Sequence, residues 1–263
     1  MKKILLLAAV LALAACSAVK PSQKAAQVPQ DIPPTEKSIA IFRMQEGDWI
    51  IRNGPRAEKA FLPASTFKIL HTLIALQSGV VKPDEVFEWD GKDRGFEPWN
   101  RDLTLEQAFR WSAIWVYQKI ARRIGPERMR NYVELINYGN ADIGGAIDSF
   151  WLDGKLRITS RQQIDFLRRL HANKLPFNRE HMDFVRKIMV RDSGEGWLMR
   201  AKSGWAQRIA PQHGWMVGWI ERGPETTFFA TNVQITERAH AQLRMVYTKS
   251  VLREIGVIGP EPK

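Results

Sequence analysis

Of 263 residues only one is cysteine, at position 16, so no disulfide can form within the chain and its stability must come from a packed core. Long apolar runs are also missing. The one near the start, Ile4 to Ala15, is about a dozen residues, too short to span a bilayer as a helix. The five histidines, His71, His171, His181, His213 and His240, show no metal-ligand spacing such as His-x-x-x-His, and no metal site is expected. No glycine-rich loop able to cradle phosphate appears, and there is no internal repeat. Although the formal net charge is +11, no aromatic-interleaved basic run accompanies it, which argues against nucleic-acid binding. Basic residues gather instead on helix-like stretches such as Lys119 to Arg130, as on a solvated helix face.

What is present begins with an export signature. Lys2 and Lys3 precede the short apolar run, and small residues lead into Cys16, the pattern of a secretory signal over 1–15. Leu13-Ala14-Ala15-Cys16 resembles a bacterial lipobox, which implies lipidation of Cys16 and a membrane-anchored lipoprotein facing the periplasm of a Gram-negative cell. Residues 16–37, with Pro21, Pro29, Pro33 and Pro34, read as a tether, residues 38–258 as one large domain, and 259–263 as a tail.

Within the domain, Ser38 to Ile51 suggests a hairpin turning near Gly47. Helical patterns are expected over 66–78, 103–111, 115–124, 126–136, 160–173, 178–190 and 238–255. Strand patterns are expected over 197–203, 213–221 and 226–234. Strands at both ends around a helical middle predict an α+β fold, a central antiparallel sheet flanked by helices plus a mostly helical lobe.

The chemistry centres on Pro63-Ala64-Ser65-Thr66-Phe67-Lys68 and the apolar segment behind it. Ser65 is expected to cap that helix, and Lys68 lies one turn later on the same face. Because Ile69, Leu70, Leu73, Ile74 and Leu76 leave almost no polar face, the helix should cross the core, where desolvation lowers a lysine pKa and frees a neutral amine to take the serine proton. Taken alone, Ser-x-x-Lys is common, and a capping serine beside a snorkelling lysine is its commoner meaning. Two further groups change that reading: Ser112, between two helical segments, and Lys202-Ser203-Gly204, at the end of a strand, where glycine lets a ligand approach the backbone.

In that order the motifs resemble the class D, oxacillinase-type serine β-lactamases over residues 38 to 258, through Ser65-Thr66-Phe67-Lys68, Ser112-Ala113-Ile114, Tyr138-Gly139-Asn140, Phe150-Trp151 and Lys202-Ser203-Gly204. Trp99-Asn100-Arg101-Asp102 and Ser149 to Gly154 resemble the carbapenem-hydrolysing branch. The resemblance implies that Ser65 is the acylated nucleophile and that Lys68, carboxylated by carbon dioxide or bicarbonate with no other cofactor, is the general base. It further implies that Trp151 donates its indole N–H to that carbamate, Ser112 relays a proton, and Ile114 walls the site from water. The N–H groups of Ser65 and Trp205 would form the oxyanion hole, with Trp205 placed by Gly204. Lys202, Ser203 and Arg244 would bind the carboxylate of penicillins, oxacillin and carbapenems.

Ile114 stands where valine is commoner, Trp205-Ala206 where the carbapenem-hydrolysing branch has Tyr-Ser, and Met216 where a second tryptophan is usual, departures that bear on substrate spectrum. The alternatives are a penicillin-binding sensor that acylates once, or a D,D-peptidase, a family that usually has asparagine where Ile114 stands. A monomer and a homodimer are both compatible with the sequence.

Overall fold

The computed structural model describes residues 32–33 and 36–260. The expected signal segment and Cys16 lie outside those residues. In chain order the elements are β1 (Lys37–Arg43), β2 (Asp48–Arg52), α1 (Gly54–Glu58), α2 (Lys68–Gln77), β3 (Val86–Phe87), β4 (Leu103–Thr104), α3 (Leu105–Arg110), α4 (Ile114–Ile124), α5 (Pro126–Ile136), α6 (Phe150–Asp153), α7 (Ser160–His171), α8 (Arg179–Ile188), β5 (Val190–Gly194), β6 (Trp197–Ala206), β7 (His213–Arg222), β8 (Glu225–Gln234) and α9 (Leu243–Glu254). Short 3-10 turns cover Ala64–Phe67, Glu97–Trp99 and Arg238–Gln242.

The main sheet runs β2-β1-β8-β7-β6-β5, antiparallel throughout, so the N-terminal hairpin joins the C-terminal strands through β1 and β8. This is the α+β architecture expected. Strand alternation sends Ile39, Ile41, Met216, Ile220 and Phe229 to one face, against Val251 and Leu252 of α9. The opposite face sends Ala40, Phe42, Val217, Trp219 and Phe228 into the larger core shared with the helical lobe.

Local chemistry explains most boundaries. Thr104 with Gln107, and Thr159 with Gln162, close capping boxes at the starts of α3 and α7. Pro126 opens α5, and Asn137 ends it in the left-handed region at φ 53°. Ile32, which the sequence places in the tether, packs with Val233, Ile235 and Leu243, and Lys37 opens β1.

Two differences from the expected elements matter for the site. The helix expected over 66–78 starts as a 3-10 turn and becomes α-helical only at Lys68. Ser65 makes no capping hydrogen bond and lies inside that turn, where the i and i+3 side chains eclipse. The helix expected to reach residue 190 stops at Ile188, and Val190–Gly194 forms the edge strand β5.

α2 carries the site through the core: every residue from Lys68 to Leu76 is buried. Its aliphatic side chains Ile69, Leu70, Leu73, Ile74 and Leu76 each contribute about 1.5–3 kcal/mol on burial. Together they outweigh the several kcal/mol that removing Lys68 from water costs.

Candidate active site

Ser65 is 9% exposed and Lys68 fully buried, with Lys68 Nζ 3.0 Å from Ser65 Oγ. Thr66 locks the turn from the other side, donating its hydroxyl to Pro63 O at 2.7 Å and accepting from Gln163 Nε2 at 2.9 Å. Burial pulls the Lys68 pKa down to about 7, so a neutral amine is accessible near neutral pH, and its lone pair can then accept the Ser65 proton. The lysine stands over the Tyr117 ring at 4.8 Å, and Tyr117 is held by a 2.7 Å hydrogen bond to Thr72.

Trp151 is fully buried on α6, stacked on Phe67 at 5.9 Å and edge-on to His71 at 5.0 Å. Among the described residues its indole N–H has no hydrogen-bond partner, and neither ring nitrogen of His71 has one. A buried unpaired donor costs about 1–3 kcal/mol, which marks a place prepared for an acceptor. A carboxylate carried on Lys68 is such an acceptor, and the chain's own groups fit it.

The opposite wall is the free edge of β6. β5 covers β6 only from Trp197 to Arg200, and Ala201 N–H still donates to Met189 O on that side. Strand alternation turns the N–H groups of Ser203 and Trp205 the same way, past the end of β5 and toward the Ser65 turn. Gly204 permits the approach. A Cβ there would lie 2.8 Å from Pro63 O and 3.3 Å from Ser65 N. The Trp205 N–H and the Ser65 N–H thus come to the same cleft, although neither motif alone reveals their proximity.

Ser112 joins them from the α3–α4 junction, in the left-handed region at φ 56°, uncommon for a residue with a Cβ. Lys202 Nζ donates to its hydroxyl and to Ser203 O. Ser65, Ser112, Ile114, Ser203, Gly204, Trp205 and Arg244 line one cleft, whose rim includes Trp99, Leu152, Gln207 and Arg208. Arg208 is tied to Asp153 at 2.9 Å, linking the segment after β6 to α6.

Among the described residues no carboxylate lines this cleft, whereas Arg208 and Arg244 do, and Lys202 reaches its Ser112. Burial first, then the charges of Lys68, Arg191 and Arg244, holds Lys202 well below the ordinary lysine value. Burial and Arg191 bring Arg244 down to about 10. Arg244 Nη1 donates to Gly204 O and Nε to Ala241 O, each at 2.5 Å, and its stem lies over Gly214, where any Cβ would strike it. Such a group of partly desolvated cations is built to receive an anion. Sequence reasoning missed Arg191 and the unpaired state of His71; the first sits on the unexpected strand β5, and the second shows only in packing. Among the described residues no cluster of His, Cys, Asp or Glu could hold a metal ion.

An antiparallel sheet edge facing a buried Ser-x-x-Lys turn, with a second serine and a Lys-Ser-Gly strand, defines an acyl-serine enzyme of the penicillin-recognising fold. Residues 22–255 match the penicillin binding protein transpeptidase domain family. The chain is 42% identical to the β-lactamase OXA-48 of Klebsiella pneumoniae over 84% of its own length and 83% of that protein, and 39% identical to OXA-2 of Salmonella typhimurium over 85% and 81%. The crystal structure of a class D β-lactamase from Nostoc superposes with a TM-score of 0.82 at 42% identity, covering 84% of this chain and 94% of that one. FUS-1 (OXA-85) of Fusobacterium nucleatum subsp. polymorphum gives 0.82 at 34% identity, covering 85% and 93%. The chain belongs to the class D β-lactamases, serine hydrolases that open β-lactam rings.

Proposed function

We propose that the enzyme hydrolyses penicillins, oxacillin and carbapenems through an ester on Ser65, with Lys68 carboxylated by carbon dioxide. The observation that carries this reading is the 3.0 Å contact between Ser65 Oγ and a fully buried Lys68, whose pKa of about 7 makes a neutral amine accessible near neutral pH.

Ser65 Oγ attacks the ring carbonyl as its proton leaves toward Lys68, and the N–H groups of Ser65 and Trp205 take the developing negative charge. The ring C–N bond breaks, and Ser112, held by Lys202, passes a proton to the departing nitrogen. Water then cleaves the ester, so the net change is addition of one water across the amide. A carboxylate on Lys68 would supply an oxygen base that is ionised at neutral pH and reaches further than the amine, for both halves. The unpartnered indole N–H of Trp151 would donate to that group, and Ile114, half-buried on α4, would limit the entry of bulk water. Lys202, Ser203 and Arg244 hold the substrate carboxylate.

Three finer points belong to this proposal. Carbapenems are included on the Trp99 to Asp102 and Ser149 to Gly154 segments. Export to the periplasm and lipidation rest on the segment ending at Cys16, and among the described residues no helix is long and apolar enough to cross a membrane.

The test is oxacillin hydrolysis by enzyme freed of carbon dioxide at mildly acid pH and then given bicarbonate. Recovery of turnover with bicarbonate is expected. A single stoichiometric burst that bicarbonate cannot extend would identify a sensor in place of a hydrolase, and absence of acylation would overturn the β-lactam reading.

A further inference from the structure

Behind Lys202, on the side of β6 away from β7, a second cavity of about 310 Å³ adjoins the catalytic cleft. Phe109, Arg110, Ile188, Arg191, Lys202 and Ser203 are on its lining, and Ser203 is common to both spaces. Its principal cation arrives through an irregularity of the sheet. Val190 pairs with Arg200 and Asp192 with Met199, which leaves Arg191 as the extra residue of a bulge. A bulged residue has no opposite number, and its side chain is redirected. Here the cavity receives it.

The other charged groups on the lining are engaged, Lys202 with the Ser112 hydroxyl and Ser203 O. Arg110 pairs with Glu106 at 3.3 Å, and Asp192, the one acid on the lining, is bound by Lys249. Among the described residues Arg191 has neither an acidic partner nor a side-chain hydrogen bond, although its charge bears on both Lys202 and Arg244. An exposed cation left unpaired at the mouth of a cavity that shares two residues with a carboxylate-binding wall has one fitting occupant, an anion attached to the same ligand.

We propose that the cavity headed by Arg191 is a second anion subsite, taking a carboxylate or similar oxyanion that a β-lactam carries next to its own ring carboxylate, as on the C3 arm of a cephalosporin. The inference rests on the β-lactamase reading for the pose of the first carboxylate, on Lys202, Ser203 and Arg244. With that group fixed, a substituent on the neighbouring ring carbon would enter the cavity past Ser203, the residue the two spaces share. The subsite adds selectivity for dianionic substrates and takes no part in bond breaking.

The experiment uses two cephalosporins that differ only at the end of the C3 arm, one carrying a carboxylate and the other the corresponding primary amide. Their affinities are measured by tryptophan fluorescence in a Ser65→Ala background, where no ester can form, with Arg191 intact and as Arg191→Ala and Arg191→Glu. With Arg191 intact the carboxylate compound binds about fivefold tighter than the amide, as for one partly exposed charge pair. The preference vanishes in Arg191→Ala and reverses in Arg191→Glu. An equal ratio in all three proteins overturns the subsite. Hydrolysis of the amide compound by protein with Ser65 intact reports on the β-lactamase reading separately, and failure of both compounds to bind overturns the two together.

Discussion

Lys202, on the sheet, donates to the hydroxyl of Ser112, on the helical lobe, so one hydrogen bond joins the two halves of the molecule across the cleft. Ser112 meets it only because its backbone adopts φ 56°, a conformation glycine would hold more easily.

Ser112→Gly therefore separates stability from catalysis. Relieved backbone strain of about 1 kcal/mol offsets much of the lost hydrogen bond to Lys202, so the stability should stay within about 2 kcal/mol of the parent. Its kcat should fall about 100-fold because the relay hydroxyl is gone. Thermal melts together with steady-state oxacillin hydrolysis check both halves; loss of stability in step with activity would count against the relay.

Gly204→Ala puts a methyl 2.8 Å from Pro63 O and 3.3 Å from Ser65 N. The β6 edge must retreat from the Ser65 turn, pulling apart the two N–H groups that hold the oxyanion. kcat should drop about 100- to 1,000-fold, the scale for losing one such donor. A variant with a native circular dichroism spectrum and full kcat would show that the contact is not needed.

The pKa of Lys68 is about 7 in the folded enzyme against 10.5 as a free side chain. Between those values the unfolded chain holds a proton that the folded one lacks, so stability rises with pH across that window. Below about 7 both forms are protonated and the full cost of burying the charge is present. In buffer free of carbon dioxide, Lys68→Met should lack this slope and be more stable than the parent at pH 6, on the order of 4 kcal/mol, while being inactive. Parallel pH profiles of denaturation for the two proteins would contradict the assignment.

Trp151→Phe removes an unpartnered buried N–H and keeps an aromatic ring against Phe67 and His71. Without carbon dioxide the variant should match or exceed the parent in stability, by about 1 kcal/mol. With ¹³C-bicarbonate the parent should show a carbamate resonance that the variant loses or weakens at equal concentration. Acyl-enzyme should then accumulate in the variant, visible as a mass increase. An undiminished carbamate signal would remove Trp151 from that role.

Much of the fold was legible because local and tertiary preferences agreed. The helix expected over 126–136 is α5, Pro126–Ile136, and the continuous apolar side chains of α2 announced its burial. β5 was not legible: Val190-Arg191-Asp192-Ser193-Gly194 contains one large apolar side chain and is a strand only because β6 pairs with it. The 3-10 entry to α2 was also hidden, since its cause is the left-handed Ala64 at φ 48° and the locking of Thr66 by Pro63 and Gln163. The site residues were legible as motifs. Their chemistry was only partly so, because the unpaired Trp151 N–H and the bulged Arg191 are facts of packing and register.

The early end of β5 has a wider meaning. An uncovered strand edge invites another strand, a hazard that proteins ordinarily suppress. Here the stretch from Lys202 to Ala206 keeps that invitation open, with the nucleophile a short step away. A ligand with a peptide-like amide can dock as a partial extra strand, reading backbone groups that side-chain mutation does not erase. Recognition of the amide skeleton is thereby separated from recognition of its substituents, and the surrounding walls can diversify while the edge continues to bind the same core.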